Sequence, residues 1–246
     1  MSSVINQSNV PFISTDQMRE VDRAMVEDYG IMLVQMMENA GRELAHLARS
    51  RFLDGDPRGR RVIVLAGPGG NGGGGLVCAR RFHNWGAEVE LWLTGPTSQP
   101  TGVSRHQLTI LERMGGPIEI AGDEPHLPPA DLIVDAIIGY SLSGAPRGTS
   151  AALIRAANGH GAPVMALDVL SGVDTARGTV YDPAIRAVAT LTLALPKEGL
   201  RVDAARDCVG ELYLADIGVP PALYDRPPLD LPVGPLFATD DIIRLW

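Results

Sequence analysis

The chain has 246 residues, 45% hydrophobic and 20% charged, a globular composition whose length suits one large domain. Its formal net charge of −8 argues against a nucleic-acid partner, and its two cysteines are too few for a disulfide framework. Residues 1–10 lack a basic segment followed by an apolar run, and no apolar stretch is long enough to span a bilayer, so a cytoplasmic protein with no membrane partner is expected.

Two helices open the pattern. Ser14 and Gln17 have the spacing of a capping box, and Met18, Val21 and Met25 follow at helical intervals. Leu33, Met37, Ala40, Leu44 and Leu47 then form a second apolar stripe. A methionine-rich stripe of this kind suits a core or a subunit interface. From Arg61 strands alternate with helices. A strand is predicted at Arg61–Ala66, then a helix carrying Cys78, Phe82 and Trp85 up to a capping Gly86. A strand over 89–93, a helix from Ser104 with Leu108, Leu111 and Met114, and a short strand at Ile118–Ile120 come next. Apolar runs over 132–138, 164–167, 188–195 and 212–215 complete the strands, with a helix over 149–158. Continuous apolar strands separated by helices predict a mostly parallel sheet covered on both faces, a Rossmann-like three-layer α/β/α sandwich. One domain is expected over 1–246, with a helical segment at 14–50, a core at 60–218 and a tail at 219–246 whose prolines wrap the surface. Cys78 falls at a helical core position and Cys208 in a polar stretch.

In an open parallel sheet a ligand binds beyond the carboxyl ends of the strands, which selects four loops. The first is Gly67-Pro68-Gly69-Gly70-Asn71-Gly72-Gly73-Gly74-Gly75. Successive glycines let backbone N–H groups converge on an anion at a helix start. A dehydrogenase would carry an acidic residue at the end of the next strand, but that strand ends Leu91-Trp92-Leu93-Thr94, which disfavours hydride transfer. In the second loop, Asp135 sits inside an apolar run, where a carboxylate needs a cation or hydrogen-bond donors; the bland alternative is a helix cap. The third places Asp168 at another strand end, with Ser171 and Asp174 following, although such aspartates also organise their own turns. In the fourth, Lys197 either reaches a phosphate or stands solvated at the surface, and the solvated reading is preferred.

Together these loops resemble the NAD(P)HX epimerase family, also called the YjeF N-terminal-domain family. Met37-Glu38-Asn39-Ala40-Gly41 is similar to the family's M-E-N-A-G, and the glycine loop resembles its G-P-G-N-N-G-G-D-G. Asp135 lies in a match to V-D-A-x-x-G, and Asp168, Ser171, Gly172 and Asp174 in a match to V-D-x-P-S-G-x-D. Members of that family interconvert the two epimers of hydrated NADH and NADPH, a metabolite repair that supplies a dehydratase accepting only one of them. The resemblance therefore implies an isomerase with a hydrated dinucleotide as substrate, a dehydratase on a separate chain and a tendency to form homodimers. It implies a potassium ion held by oxygens of Asn71, Asp135 and Ser171, as a hard cation requires. Asp168 is the implied acid–base residue. Substrate contacts are implied for Gly70, Asn71, Gly72, Gly73 and Gly74, for Gly139, Tyr140, Ser141, Leu142, Ser143, Gly144 and Ala145, and for Asp168.

The departures from the family pattern are specific. Gly70 replaces an asparagine, Gly74 an aspartate and Leu170 a proline, while Gly139-Tyr140-Ser141 stands where G-T-G is usual. The lost carboxylate at Gly74 and the added ring of Tyr140 leave a second reading open, a repurposed or non-catalytic nucleotide-binding module of the same fold.

Overall fold

Ser14 starts the first helix through a reciprocal pair of bonds. Its Oγ accepts from the Gln17 N–H at 3.2 Å, and Gln17 Oε1 accepts from the Ser14 N–H at 2.9 Å. The helix α1 runs Thr15–Glu27 and α2 runs Leu33–Phe52. This computed structural model describes residues 10–95, 100 and 102–246, so the expectation for the first nine residues lies outside the described ones. After α2 come β1 (Arg61–Ala66), α3 (Gly70–Asn84), β2 (Glu88–Leu93), α4 (Gly102–Met114) and β3 (Ile118–Ile120). They are followed by β4 (Leu132–Ala136), α5 (Gly148–Gly159), β5 (Val164–Leu167), β6 (Ala189–Leu193), α6 (Asp203–Val209), β7 (Glu211–Ala215), α7 (Pro221–Tyr224) and β8 (Ile242–Arg244).

The eight strands form one sheet in the order β3-β2-β1-β4-β5-β6-β7-β8, parallel from β3 through β7, with β8 antiparallel on β7. Alternate residues of β1 feed opposite layers. Val62, Val64 and Ala66 pack with Leu44, Phe82 and Leu108 of α2, α3 and α4. Ile63 and Leu65 pack with Leu153 and Ile154 of α5 and Val209 of α6. That alternation makes the expected three layers. Met18, Val21 and Met25 of α1 join Leu214, Leu223 and Tyr224 in a third cluster at one end of the sheet. No helix among the described residues is long and apolar enough to cross a membrane.

Several elements differ from expectation for local reasons. The helix α6 buries only Ala205, Cys208 and Val209, one turn's worth of apolar signal in a charged stretch, and it moves Cys208 from a polar segment into the core. The tail does more than wrap: Leu223, Leu229 and Leu236 are buried, and β8 pairs Ile242 with Ala215. Leu33 leaves the predicted stripe at 43% exposure, and Val188 leaves the predicted strand at 45%.

The glycine run is helix, not loop, from Gly70 onward. A Cβ at Gly41 would stand 2.4 Å from Gly74 O, and one at Gly72 would stand 1.8 Å from Gly67 O. Missing side chains thus let α3 close onto α2 and fold back on its own entry turn. The segment Met37–Gly41 serves this same contact. Glu38 accepts from Arg80 of α3 at 2.6 Å and from Gln107 of α4 at 3.1 Å, and Asn39 Nδ2 donates to Ile217 O at 3.2 Å. Gly72→Ala has backbone as its obstacle and should cost about 3 kcal/mol, whereas Gly74→Ala meets only Leu167 Cδ2 at 2.7 Å and should cost about 1 kcal/mol. Urea denaturation of both variants checks this ordering.

Candidate active site

The chain leaves β1 toward β2 and β3 on one side and returns to β4 on the other, so a crevice opens at the carboxyl ends of β1 and β4. A cavity of about 540 Å³ lies there, bounded by α1, α2, the start of α3 and the loops after β4 and β5. That volume suits a small-molecule site.

The entry to α3 supplies donors. Gly69 caps the helix without a side chain, so the N–H groups of Gly70, Asn71 and Gly72 meet no acceptor within the helix. The Gly73 N–H donates back to Gly69 O at 3.0 Å. Gly70, Asn71 and Gly74 line the cavity; Gly72 and Gly73 are buried behind it. The place a side chain on residue 74 would take is filled by the Leu167 Cδ2 methyl.

Asp135, at the end of β4, is completely buried. Its Oδ1 accepts from the Ile137 N–H at 3.2 Å and from Ser171 Oγ at 2.6 Å, and its Oδ2 accepts from the Ser171 N–H at 2.8 Å. Ser171 Oγ in turn accepts from the Ile138 N–H at 2.9 Å, which fastens the loop after β4 to the loop after β5. Burial pushes the Asp135 carboxyl up to about 6 despite these three bonds. No cationic side chain pairs with it among the described residues. Asn71 packs beside Gly139 on the same loop, and its buried Nδ2 has no partner. Asp135 and Ser171 thus join the loops after β4 and β5, and Asn71 of the first turn of α3 packs against the first of these loops.

Asp168 follows β5 with φ at 64°, a left-handed conformation that costs a non-glycine residue about 1–3 kcal/mol. Its N–H donates to Leu191 O at 2.7 Å. Its Oδ1 accepts from the Leu193 N–H at 3.3 Å and from Lys197 Nζ, which also donates to Leu193 O at 2.9 Å. Lys197 has no exposed surface, so the solvated reading is corrected: it is the buried counter-ion of Asp168. The N-terminal segment covers it, because Ile13 N–H donates to Pro196 O at 2.8 Å and Glu198 N–H to Ile13 O at 3.0 Å. The flanking Leu195-Pro196 and Gly199-Leu200 were the signal for burial. Asp174 organises its own turn, its Oδ1 accepting from Ala176 N–H at 2.8 Å and Arg177 N–H at 3.3 Å.

Tyr140 lines the cavity wall. Its hydroxyl donates to Asp22 Oδ2 at 2.5 Å, and its backbone oxygen accepts from Thr175 Oγ1 at 2.9 Å. Asp22, a residue of α1 that the sequence did not single out, also lines the cavity. Gly139 and Ser141 line it too, whereas Leu142, Ser143, Gly144 and Ala145 lead away toward α5 and do not. Leu170, at the departure from proline, is buried in the α5 layer.

A parallel sheet with a donor-rich helix start and strand-end aspartates around its switch point defines a Rossmann-like α/β protein with a small-molecule site. The model of the family described as "YjeF-related protein N-terminus" matches residues 33–199, and the chain belongs to that family. It is 47% identical to an NAD(P)H-hydrate epimerase of Dehalogenimonas lykanthroporepellens, over 87% of this chain and 84% of that protein. A protein of Moorella thermoacetica named bifunctional NAD(P)H-hydrate repair enzyme is 37% identical over 86% of this chain, which spans only 41% of that longer relative. The crystal structure of the yeast protein ynu0 (YNL200c) shares the fold, with a TM-score of 0.77 at 24% identity over 96% of this chain and all of that one.

The raised Asp135 carboxyl has a measurable consequence. The folded chain binds this proton more tightly than the unfolded one, whose carboxyl stays near 3.8. The group therefore favours folding most below about pH 4, and that advantage is lost as pH rises through about 6, by about 3 kcal/mol in all. Urea denaturation between pH 4 and 7 in potassium-free buffer should show this slope in the wild type. Subtracting the curve of Asp135→Asn should isolate it, and equal slopes would contradict it.

Proposed function

We propose that this chain is an NAD(P)H-hydrate epimerase, an isomerase that interconverts the two epimers of hydrated NADH and NADPH. The relatives bearing that name support it, at 47% and 32% identity over most of their own lengths. The observation that carries the reading to particular atoms is the Asp168 carboxylate in the cavity. Lys197 and the Leu193 N–H fix its Oδ1, while its Oδ2 has no hydrogen-bond partner among the described residues.

The reaction needs the ring hydroxyl to leave and water to return to the other face. The dinucleotide pyrophosphate would take the N–H groups of Gly70 and Asn71, where the α3 dipole favours negative charge. Gly73 stands outside that donor set, since its N–H already bonds to Gly69 O. Met36, Met37 and Leu167 form an apolar bed for the ring and limit water around it. Asp168 Oδ2 would exchange a proton with the hydroxyl or water on its side of the ring, and Lys197 keeps its charge balanced when the proton is absent.

Asn71, Asp135 and Ser171 fit a potassium site in this reading, because a buried carboxylate without a cationic side chain lacks a counter-charge. The ion would neutralise Asp135 and the nearby pyrophosphate. The bifunctional relatives extend well beyond the matched region, which supports a pathway with a second enzyme, a dehydratase. A cytoplasmic homodimer belongs to the same reading, supported by Val26, Met32 and Leu33, which stand exposed on α1 and at the start of α2. The competing reading, a non-catalytic nucleotide-binding module, draws on Gly74. The intact Asp168–Lys197 pair weighs against it.

A mixture of hydrated NADH epimers, followed by chromatography against a protein-free blank, tests the activity. Asp168→Asn should cut turnover by roughly a hundred- to ten-thousandfold while dinucleotide affinity by calorimetry changes far less. Full activity in that variant would remove the role of Asp168. For the ion, potassium chloride in place of tetramethylammonium chloride should raise the melting temperature of the wild type and leave Asp135→Asn unmoved. A wild-type melting temperature indifferent to potassium would remove the cation.

A further inference from the structure

Of the described residues lining the cavity, only Asp22, Tyr140 and Asp168 carry ionisable side chains. Asp168 reaches it from the end of β5, Asp22 from α1, the helix that covers the cavity from another layer. The two carboxylates are furnished differently. Asp168 carries an ammonium on Oδ1. Asp22 carries a phenol hydroxyl on Oδ2, and its Oδ1 has no hydrogen-bond partner among the described residues. Epimerisation makes a demand that one carboxylate meets poorly. Hydroxyl must leave one face of the ring and water must enter at the opposite face, so proton transfer is needed on both sides of a ring held in place.

We propose that Asp22, held by Tyr140, is the second acid–base carboxylate of this epimerase and serves the ring face that Asp168 does not. The inference rests on the epimerase reading given above. In one direction, one carboxylic acid protonates the leaving hydroxyl, the C–O bond breaks, and water departs as the ring nitrogen lone pair forms a C=N bond. Water then adds to the other face of this planar cation, a new C–O bond forms, and the opposite carboxylate takes the released proton. The reverse direction exchanges the two roles. The open side of the cavity lets solvent return the proton between turnovers.

The surroundings of Asp22 suit the task. Burial pushes its carboxyl up, and Asp168 adds to the rise, while the Tyr140 hydroxyl and the Lys197 ammonium oppose it. Arg19, Tyr224 and the Tyr140 ring are the other charged or titratable groups nearby, and Lys197 Nζ lies 6.0 Å from the centre of that ring. Tyr140 therefore links the two carboxylate systems, bonded to one by its hydroxyl and turning its ring face toward the ammonium of the other. A threonine at this position, as in the family pattern, has no ring with which to span them.

The test separates inversion from hydroxyl exchange. Each epimer is incubated in ¹⁸O-water with the wild type, Asp22→Asn, Asp168→Asn and Tyr140→Phe, and both epimer ratio and isotope content are followed. Wild type should invert and exchange both epimers. Asp22→Asn should invert about a hundredfold more slowly yet still exchange oxygen in one epimer, with retention, through Asp168. Asp168→Asn should show the mirror pattern, exchanging the other epimer. Tyr140→Phe, which keeps the Asp22 carboxyl but removes its bond, should slow inversion about tenfold and spare the exchange that Asp168 supports. Unchanged inversion in Asp22→Asn, or an equal loss of inversion and exchange in both epimers, would overturn the proposal. A wild type that neither inverts nor exchanges would instead overturn the epimerase reading itself.

Discussion

An ammonium and a carboxylate share a water-poor space at the ends of β5 and β6, and much of the surrounding architecture follows from keeping them together. A buried charge is tolerated only with a counter-charge and further hydrogen bonds, and Lys197 and Asp168 supply both, through each other and through the backbone of Leu193. The arrangement also bends the chain. Asp168 and Ala194 both take positive φ, at 64° and 61°, so the turns after two adjacent strands are held in sparsely populated conformations by this contact. The cover matters as much. Ile13 pairs with the backbone on both sides of Lys197, and that short parallel contact aims α1 across the cavity mouth. The apolar face of α1, with Met18, Val21 and Met25, then holds the helix where Asp22 meets Tyr140.

The opposite wall is governed by the absence of side chains. The helices α2 and α3 approach until a Cβ on Gly41 would strike the α3 backbone, and this closeness sets Met37 and Ala40 against the first turn of α3. The same closeness explains the glycine where the family pattern has an aspartate. At residue 74 the helix faces Leu167 Cδ2, so the larger side chain at the end of β5 occupies the volume that a carboxylate would need. The departure is thus a repacking of the cavity floor, apolar in place of acidic, and the donors at the helix start are untouched by it.

Much of this was legible in the sequence, for reasons that differ by element. The strands β1 and β5 and the capping box at Ser14 have strong local signals, continuous apolar runs or a fixed spacing. Asp135 and Asp168 were legible because a carboxylate ending an apolar run has to be accounted for. Lys197 is the residue that sequence misplaces: its apolar and glycine neighbours hint at burial, but the cover comes from the segment around Ile13, far away in sequence. Asp22 had no signal at all. Within α1 it is one acidic residue among several, and only the turn of the helix over the cavity separates it from Glu20 and Glu27. The helix start at Gly70 was hidden for a different reason: a run of glycines reads as loop by propensity, and tertiary packing against α2 overrides it.

Three aspartates, on α1 and at the ends of β4 and β5, hold three different partners. Asp135 has donors but no cation, Asp168 has an ammonium, and Asp22 has a phenol. Environment rather than residue type therefore separates them, and it underlies the proposed division between a cation site at Asp135 and proton transfer at Asp168 and Asp22. A fourth position completes the logic by lacking a carboxylate. The strand β2 ends at Leu93 and Thr94, where a dinucleotide dehydrogenase would hold the ribose hydroxyls with an acidic side chain. Such an acid favours the free 2′-hydroxyl of NADH and repels the 2′-phosphate of NADPH. Leu93 and Thr94 supply no such acid, which accords with a proposed substrate that includes both hydrated forms.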